Sequence, residues 1–171
     1  VGEGFTEDEK AYQVLCRIVD SITKDAEIEK TFSDQDCTIF EIRKADPGII
    51  IGKHGHTLDA IQYLVNMIVN KKKDWELQKL YIVDIDGYRK RREESLKKYA
   101  REKAEIVKRK GEPVALYFMN SIERRLVHMA LKEDLGVTTN SEGKEPYRNI
   151  IITPAQISEN HNSNQENMNN Q

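Results

Sequence analysis

The amino-acid sequence predicts an α+β fold, and three observations lead to this prediction. First, Thr6–Glu9 has the pattern of a helix-capping box, and an apolar stripe at helical spacing follows it as far as Ile22. Second, residues 26–32 and 37–43 alternate as strands do, with turn-forming residues between them. Third, residues 48–69 join a glycine-containing loop to another helical pattern. A length of 171 residues is enough for one or two small domains.

The loop in the third stretch is the strongest candidate site. Two glycines separated by a lysine and a histidine let a ligand approach the backbone, because no Cβ atom stands in the way. The helix that follows directs free N–H groups and the positive end of its dipole at the same place, which favours phosphate. We predict that the loop contacts phosphates and that the three preceding isoleucines line a groove for bases. These candidates are Ile49, Ile50, Ile51, Gly52, Lys53, His54 and Gly55.

The elements around the loop follow a recognisable order. Asp46 and Pro47 begin a short helix before it, and residues 80–85 form a strongly apolar strand after it. The order is helix, strand, strand, helix, GxxG loop, helix, strand. Motif and order together resemble the type II, prokaryotic KH domain over residues 8–86. The resemblance implies a three-stranded sheet with helices on one face, and a loop that clamps about four nucleotides of single-stranded nucleic acid.

Charge is distributed unevenly along the chain. The net charge is −2, yet residues 87–110 carry eleven Lys/Arg against four Glu, whereas residues 1–46 carry six against twelve acidic residues. A small total can therefore hide a basic stripe on a predicted helix at about 88–110. We predict that Arg89, Arg91 and Arg92 supply a positive field towards nucleic acid. The alternative is an ordinary solvated helix face.

A second candidate site lies on a helix that Asn120 caps. Arg124 and His128 are four residues apart and so share one face of this helix, and Arg125 is their neighbour. An Arg/His pair at this spacing is by itself usually a surface pair. We predict that these three residues form a second phosphate-binding or base-stacking surface. Four apolar residues are expected to face the core, namely Ile122, Leu126, Met129 and Ala130.

The surroundings of this pair resemble a known domain. A basic helix precedes it, and a turn-rich stretch at 138–143 and a strand at 147–152 follow it. The arrangement resembles, over about 88–153, the small α+β domain named for its Arg-x-x-x-His (RxxxH) motif. In that family the Arg/His face is associated with single-stranded nucleic acid.

A KH domain followed directly by an RxxxH domain resembles the bacterial Jag family, also called KhpB or SpoIIIJ-associated protein. We predict a KH domain at 1–86, an RxxxH domain at 87–154 and a disordered tail rich in Asn, Gln and Ser at 155–171. The resemblance implies a cytoplasmic, non-enzymatic protein that binds single-stranded RNA and acts post-transcriptionally. It also implies links to cell envelope growth, division or sporulation. The expected protein partner is another KH domain, in a homodimer or in a heterodimer with a small KH protein.

Two features depart from the family pattern. Its members usually carry an N-terminal Jag domain and a linker, which have no counterpart within these residues. Where the family would be expected to have arginine or another basic residue, this loop has His54. Since histidine gains charge between about pH 8 and about pH 6, protonation of His54 and His128 predicts tighter RNA binding as the pH falls.

Composition narrows the remaining possibilities. Cys16 and Cys37 lack metal-ligand spacing and are expected to be reduced, buried thiols of a cytosolic protein. No apolar run reaches membrane-spanning length, and neither a metal nor a cofactor is expected. The chain does not begin with Met, so it can be a processed or truncated piece.

Two other functions compete with RNA binding. His54, His56 and His128 could serve acid–base chemistry in a nucleic-acid enzyme, but no paired carboxylates or metal-ligand set accompany them in the sequence. The KH fold could instead serve mainly for dimerisation, with the acidic N-terminal third as a partner surface. Single-stranded DNA is an alternative ligand to RNA.

Overall fold

The computed structural model describes residues 6–32, 37–71 and 73–155, and the chain divides into two compact units between Glu94 and Ser95. The predicted α+β fold class is confirmed, because each unit combines helices with a three-stranded sheet. The turn predicted at 33–36 and the tail predicted at 155–171, Ala155 excepted, lie outside the described residues. No helix in the described ranges is long and apolar enough to cross a membrane.

The first unit packs helices on one face of its sheet. Its elements are, in order, α1 (Glu7–Ile22), β1 (Glu27–Phe32), β2 (Thr38–Arg43), α2 (Pro47–Ile51), a 3₁₀ turn (Lys53–Gly55), α3 (His56–Asn70), a second 3₁₀ turn (Trp75–Leu77) and β3 (Tyr81–Ile85). The strand order is β1-β2-β3, with β1 antiparallel and β3 parallel to β2. Alternate residues of β2 and β3, such as Phe40, Ile42 and Val83, are buried in a core shared with the helices.

Helix α1 is fixed at its first turn. The predicted capping box is present, with the Thr6 side chain accepting from the Glu9 N–H. The next anchor is Asp8, whose carboxylate lies 2.7 Å from Nζ of both Lys30 and Lys79. Burial raises the pKa of Asp8, but hydrogen bonds and ion pairs with the two lysines outweigh it and lower that pKa to about 2. This carboxylate therefore ties the start of α1 to the sheet as a charged group.

The second unit is built on a long helix. Helix α4 (Tyr88–Lys110) begins in the first unit, and the later elements are β4 (Val114–Ala115), α5 (Ser121–Leu131), β5 (Val137–Glu142) and β6 (Asn149–Pro154). The sheet order is β4-β6-β5, and both pairings are antiparallel. The apolar stripe predicted for α4 is buried, and Leu96, Ala100, Ala104 and Val107 pack with residues such as Val127 and Ile152.

One strand was not expected. The stretch 138–143, interpreted from its composition as turn-rich, is largely the strand β5, which pairs with β6 along its whole length. The Thr138 and Thr153 hydroxyls hydrogen-bond across the two strands at 2.6 Å. Threonine has a high strand propensity, but the Asn, Ser and Glu that follow masked it in the sequence. Long-range pairing with the apolar β6 decides the conformation.

The inward face of α5 also differs from the prediction. Ile122 and Met129 were expected to face the core, but they are 71% and 55% exposed. The buried residues are Glu123, Arg124, Val127 and Leu131. The helix is therefore rotated relative to the predicted stripe, and two charged residues occupy its inner face.

The two cysteines occupy different environments. Both are free; Cys37 is buried as expected, with its Sγ 3.1 Å from the Leu80 carbonyl oxygen. Burial raises the pKa of this thiol. Cys16 is only half-buried, which corrects the expectation for that residue.

Candidate nucleic-acid interface

The GxxG loop has a backbone that only glycine can adopt without strain at both ends. The φ angles are +67° at Gly52 and +87° at Gly55, in the left-handed region. A Cβ atom at Gly52 would lie 2.1 Å from Thr57 Oγ1, and one at Gly55 would lie 3.0 Å from the Tyr88 ring. The loop is therefore packed tightly from behind, by α3 on one side and by the start of α4 on the other.

The side chains of the loop and of α2 divide into exposed and buried groups. Lys53 is exposed and His54 is half-exposed, at a φ of +55°, directly before the 15-residue helix α3. Ile49 is exposed and Ile51 is half-buried, so both can line a groove. Ile50 is fully buried in the core, and its predicted role as a groove wall is wrong. The reason is that α2 is helical, so three consecutive side chains point in different directions.

Arg89 holds the first unit together rather than facing a ligand. Its guanidinium donates to the Asp59 carboxylate at 2.9 Å, the Gln62 side-chain oxygen at 3.1 Å and the Val83 carbonyl at 3.0 Å. These three partners use the donors that a phosphate would need, which corrects the predicted role of Arg89 as part of a field towards nucleic acid. Arg91 is exposed and donates to the Asp86 carbonyl, and Arg92 is half-buried.

The Arg-x-x-x-His pair is also placed differently from the prediction. Arg124 is buried, and its guanidinium donates to the Met119 carbonyl at 2.8 Å and to the Glu145 carboxylate at 2.6 Å. The expectation that Arg124 presents its guanidinium on an exposed surface is therefore wrong. Arg125 is the exposed arginine of this helix.

His128 lies against β5. Its two ring nitrogens are 2.7 Å from Thr139 Oγ1 and 3.2 Å from Ser141 Oγ. Burial lowers the pKa of His128, and the nearby positive charge of Arg124 lowers it further. This direction is opposite to the one needed for phosphate binding, so the expectation that His128 charges as the pH falls towards about 6 and then strengthens binding is corrected.

Several supporting residues carried no sequence signal. Tyr88 backs the loop, while Asp59 and Gln62 orient Arg89, and Glu145 pairs with Arg124. Asp59 and Gln62 lie one helical turn apart on α3, but only the tertiary fold brings Arg89 to them. Within the described ranges, no three His, Cys, Asp or Glu residues are grouped as metal ligands.

Comparison with known proteins identifies both units by class. The family model described as the KhpA/KhpB KH domain matches residues 9–83, and the model of the RxxxH domain matches residues 94–154. The fold and the sites thus define a protein that joins a KH domain of the KhpA/KhpB type to an RxxxH domain. The chain belongs to the KhpB family.

Individual relatives show the same relationship. The RNA-binding protein KhpB of Clostridium symbiosum is 39% identical over 150 residues, which cover 86% of this chain and 66% of that protein. The proteins of the same name from Lactiplantibacillus plantarum and Streptococcus pneumoniae are 33% and 30% identical, over 85% and 89% of this chain. The chain spans 45% and 46% of the length of those two relatives.

Proposed function

We propose that this chain binds single-stranded RNA and that the loop Gly52–Gly55 is its phosphate clamp. The observation that carries the proposal is the loop geometry: two glycines at positive φ, packed from behind, present Lys53 at the start of α3. Free N–H groups, the helix dipole and a lysine then act on the same anion. Its relatives are named RNA-binding proteins, which supports RNA over single-stranded DNA.

The remaining roles follow from exposure. His54 contacts a phosphate, and Ile49 and Ile51 contact bases beside the loop. Arg125 adds a phosphate contact on the second unit. We assign these roles to a KH domain at 1–86 and an RxxxH domain at 87–154. From the family we also infer a cytoplasmic, non-enzymatic protein that regulates RNA, with a link to cell envelope growth, division or sporulation.

Exchange of the loop charges tests the clamp. The double variant Lys53→Asp, His54→Asp should lose about tenfold or more in RNA affinity and should have a shallower dependence on salt, because fewer counterions are released. Aspartate tolerates the left-handed backbone at position 54, so the loop conformation is retained. Affinity is measured by fluorescence anisotropy at several salt concentrations.

A matched variant separates the loop from net charge. Lys24→Asp makes the same exchange as Lys53→Asp at an exposed residue between α1 and β1, and it should leave RNA affinity nearly unchanged. Equal losses in Lys24→Asp and Lys53→Asp, or no loss in the double loop variant, would show that the loop is not the clamp.

A second function, dimerisation through the KH domain, is favoured by one surface. Helix α3 leaves Tyr63, Leu64, Met67 and Ile68 exposed on neighbouring turns, which is a large apolar face for a helix of a monomer. We propose that a second KH domain covers it, from another copy of the chain or from a small KH protein. Dimerisation and RNA binding are compatible, because the apolar face and the loop use different residues.

The oligomeric state tests this surface. Met67→Glu should shift the sedimentation of the chain from dimer to monomer, because an exposed side chain that causes no strain in the monomer would become a buried charge in the dimer. Leu135→Glu is the control, since Leu135 is exposed on the second unit. A parent chain that sediments as a monomer at all concentrations would exclude the homodimer.

A further inference from the structure

Two aromatic rings of the second unit face solvent side by side. Phe118 is 50% exposed and Tyr147 is 68% exposed, and their ring centroids lie 5.6 Å apart in an edge-to-face arrangement. In the segment before α5, Leu116 and Met119 are buried and Tyr117 is half-buried against Tyr99. Phe118 is thus the residue of its segment that turns an apolar ring outwards.

The backbone beneath both rings is held by hydrogen bonds. The Leu116 N–H donates to the Ile150 carbonyl at 2.8 Å, and the Met119 N–H donates to the Arg148 carbonyl at 3.2 Å. The Tyr147 N–H closes a turn by donating to the Lys144 carbonyl at 2.8 Å. Both rings are therefore presented from ordered segments, and little entropy is lost when a flat ligand contacts them.

Arg124 joins the two segments that carry the rings. One of its nitrogens donates to the carbonyl of Met119, the residue after Phe118, and another pairs with Glu145, two residues before Tyr147. A buried guanidinium with two such partners fixes the spacing of the segments. It cannot also act as an exposed phosphate ligand.

We propose that Phe118 and Tyr147 form a platform on which bases of single-stranded RNA stack, and that Arg124 is a positioning residue for it. This inference rests on the proposed RNA binding and adds base contacts to it. Base–aromatic stacking accepts any base, since every base has a flat π face. The pair also resembles exposed aromatics in other single-strand binders in physical terms: open rings next to cations.

The charges around the rings favour nucleic acid as the occupant. Lys144 is exposed in the turn that Tyr147 closes, and Arg125 is exposed on α5. Helix α5 begins three residues after Phe118, so its first-turn N–H groups are close to the ring along the chain. Phosphates on either side of a stacked base would meet these groups. A protein partner is the competing occupant, and it would need no bases.

The ring variants are tested in the full chain with a pair of RNA probes. One probe is a single-stranded oligoadenylate of about 12 nucleotides, and the other has the same length and backbone but abasic residues. Phe118→Ala and Tyr147→Ala should each weaken binding to the oligoadenylate about tenfold and leave its salt dependence unchanged. Neither should alter binding to the abasic probe. Tyr147→Trp should restore affinity, and Leu135→Ala is the control for loss of an exposed apolar side chain.

The positioning role has a test of its own. Glu145→Ala removes a negative charge, which by simple electrostatics would strengthen RNA binding. If Glu145 and Arg124 hold the platform, the variant should instead bind the oligoadenylate at least threefold more weakly, with the same salt dependence. Glu142→Ala removes an exposed charge from β5 without touching Arg124 and should not weaken binding.

The outcomes distinguish this inference from the function on which it rests. Loss of affinity for the oligoadenylate alone supports the platform. Binding that depends on Lys53 but is unchanged in the ring variants overturns the platform and leaves the loop clamp standing. Tighter binding by Glu145→Ala with a steeper salt dependence overturns the positioning role, because Arg124 would then be a phosphate ligand. A parent chain that binds neither probe overturns both proposals.

Discussion

At the scale of single residues, Gly52 shows two separate reasons for glycine. Its φ is positive, and the site of a Cβ atom is occupied by the side chain of Thr57. Gly111, which follows α4, shares the positive φ of +71° but has no atom within 4 Å of that site. The two glycines therefore separate the cost of backbone strain from the cost of a steric clash.

Alanine at these two positions measures the difference. We expect Gly111→Ala to lower the free energy of unfolding by about 1 kcal/mol, which is the cost of the left-handed backbone alone. Gly52→Ala should cost about 1–2 kcal/mol more, because Thr57 must also move. Urea unfolding of both variants and the parent gives the values. Equal losses would mean that Thr57 moves aside without cost.

Buried charges explain where sequence reasoning failed at this scale. Arg89 and Arg124 were both predicted to face nucleic acid, since arginine is usually exposed. Each instead satisfies its guanidinium with a carboxylate and at least one backbone carbonyl. Those partners lie in other segments, so no local pattern announces them. Lys53, by contrast, was predicted to be exposed and is.

At the scale of elements, helix α1 depends on a charged anchor. The Asp8 pKa is lowered from 3.8 to about 2, so the folded state prefers the ionised carboxylate. Its contribution is complete above about pH 4, and it is lost as the pH falls through about 2. We expect Asp8→Asn to lower the free energy of unfolding at pH 7 by about 2 kcal/mol.

The pH dependence identifies the origin of that loss. The difference between the parent and Asp8→Asn should shrink below about pH 4, because the parent carboxyl then becomes neutral too. Asp20→Asn, at an exposed position of the same helix, should follow the parent at every pH. A difference between the parent and Asp8→Asn that is constant down to about pH 2 would show that the ion pairs are not its cause.

Elements with strong local signals were predicted well. The capping box of α1, the proline start of α2 and the buried stripe of α4 all appear where the sequence placed them. These features depend on residues within a few turns of one another. Strand β5 and the inner face of α5 depend on partners far along the chain, such as β6, and the sequence alone did not reveal them.

At the scale of the whole molecule, two units on one chain predict a dependence on RNA length. A strand of about 16 nucleotides that reaches both units binds the second one at a high effective concentration, whereas a strand of about 4 nucleotides occupies one unit only. Lys53→Asp should weaken binding of both lengths. Arg125→Ala, on the second unit, should weaken the long strand about fivefold and the short one little.

Titrations of both lengths with each variant decide this point. Lys24→Asp serves again as the control for net charge. If Arg125→Ala weakens short and long strands equally, the two units do not bind one strand together. The net charge of −2 makes the local placement of cations, rather than overall attraction, responsible for any binding.

The polar composition that concealed β5 has a consequence for solubility. In the order β4-β6-β5, this strand is the edge of its sheet, and one side of its backbone has no strand beside it in the described part of the chain. An exposed edge of apolar residues would recruit strands from other molecules and begin aggregation. Threonine, asparagine, serine and a terminal glutamate make β5 a poor template for such growth. The strand thus protects the chain from self-assembly while it completes the sheet.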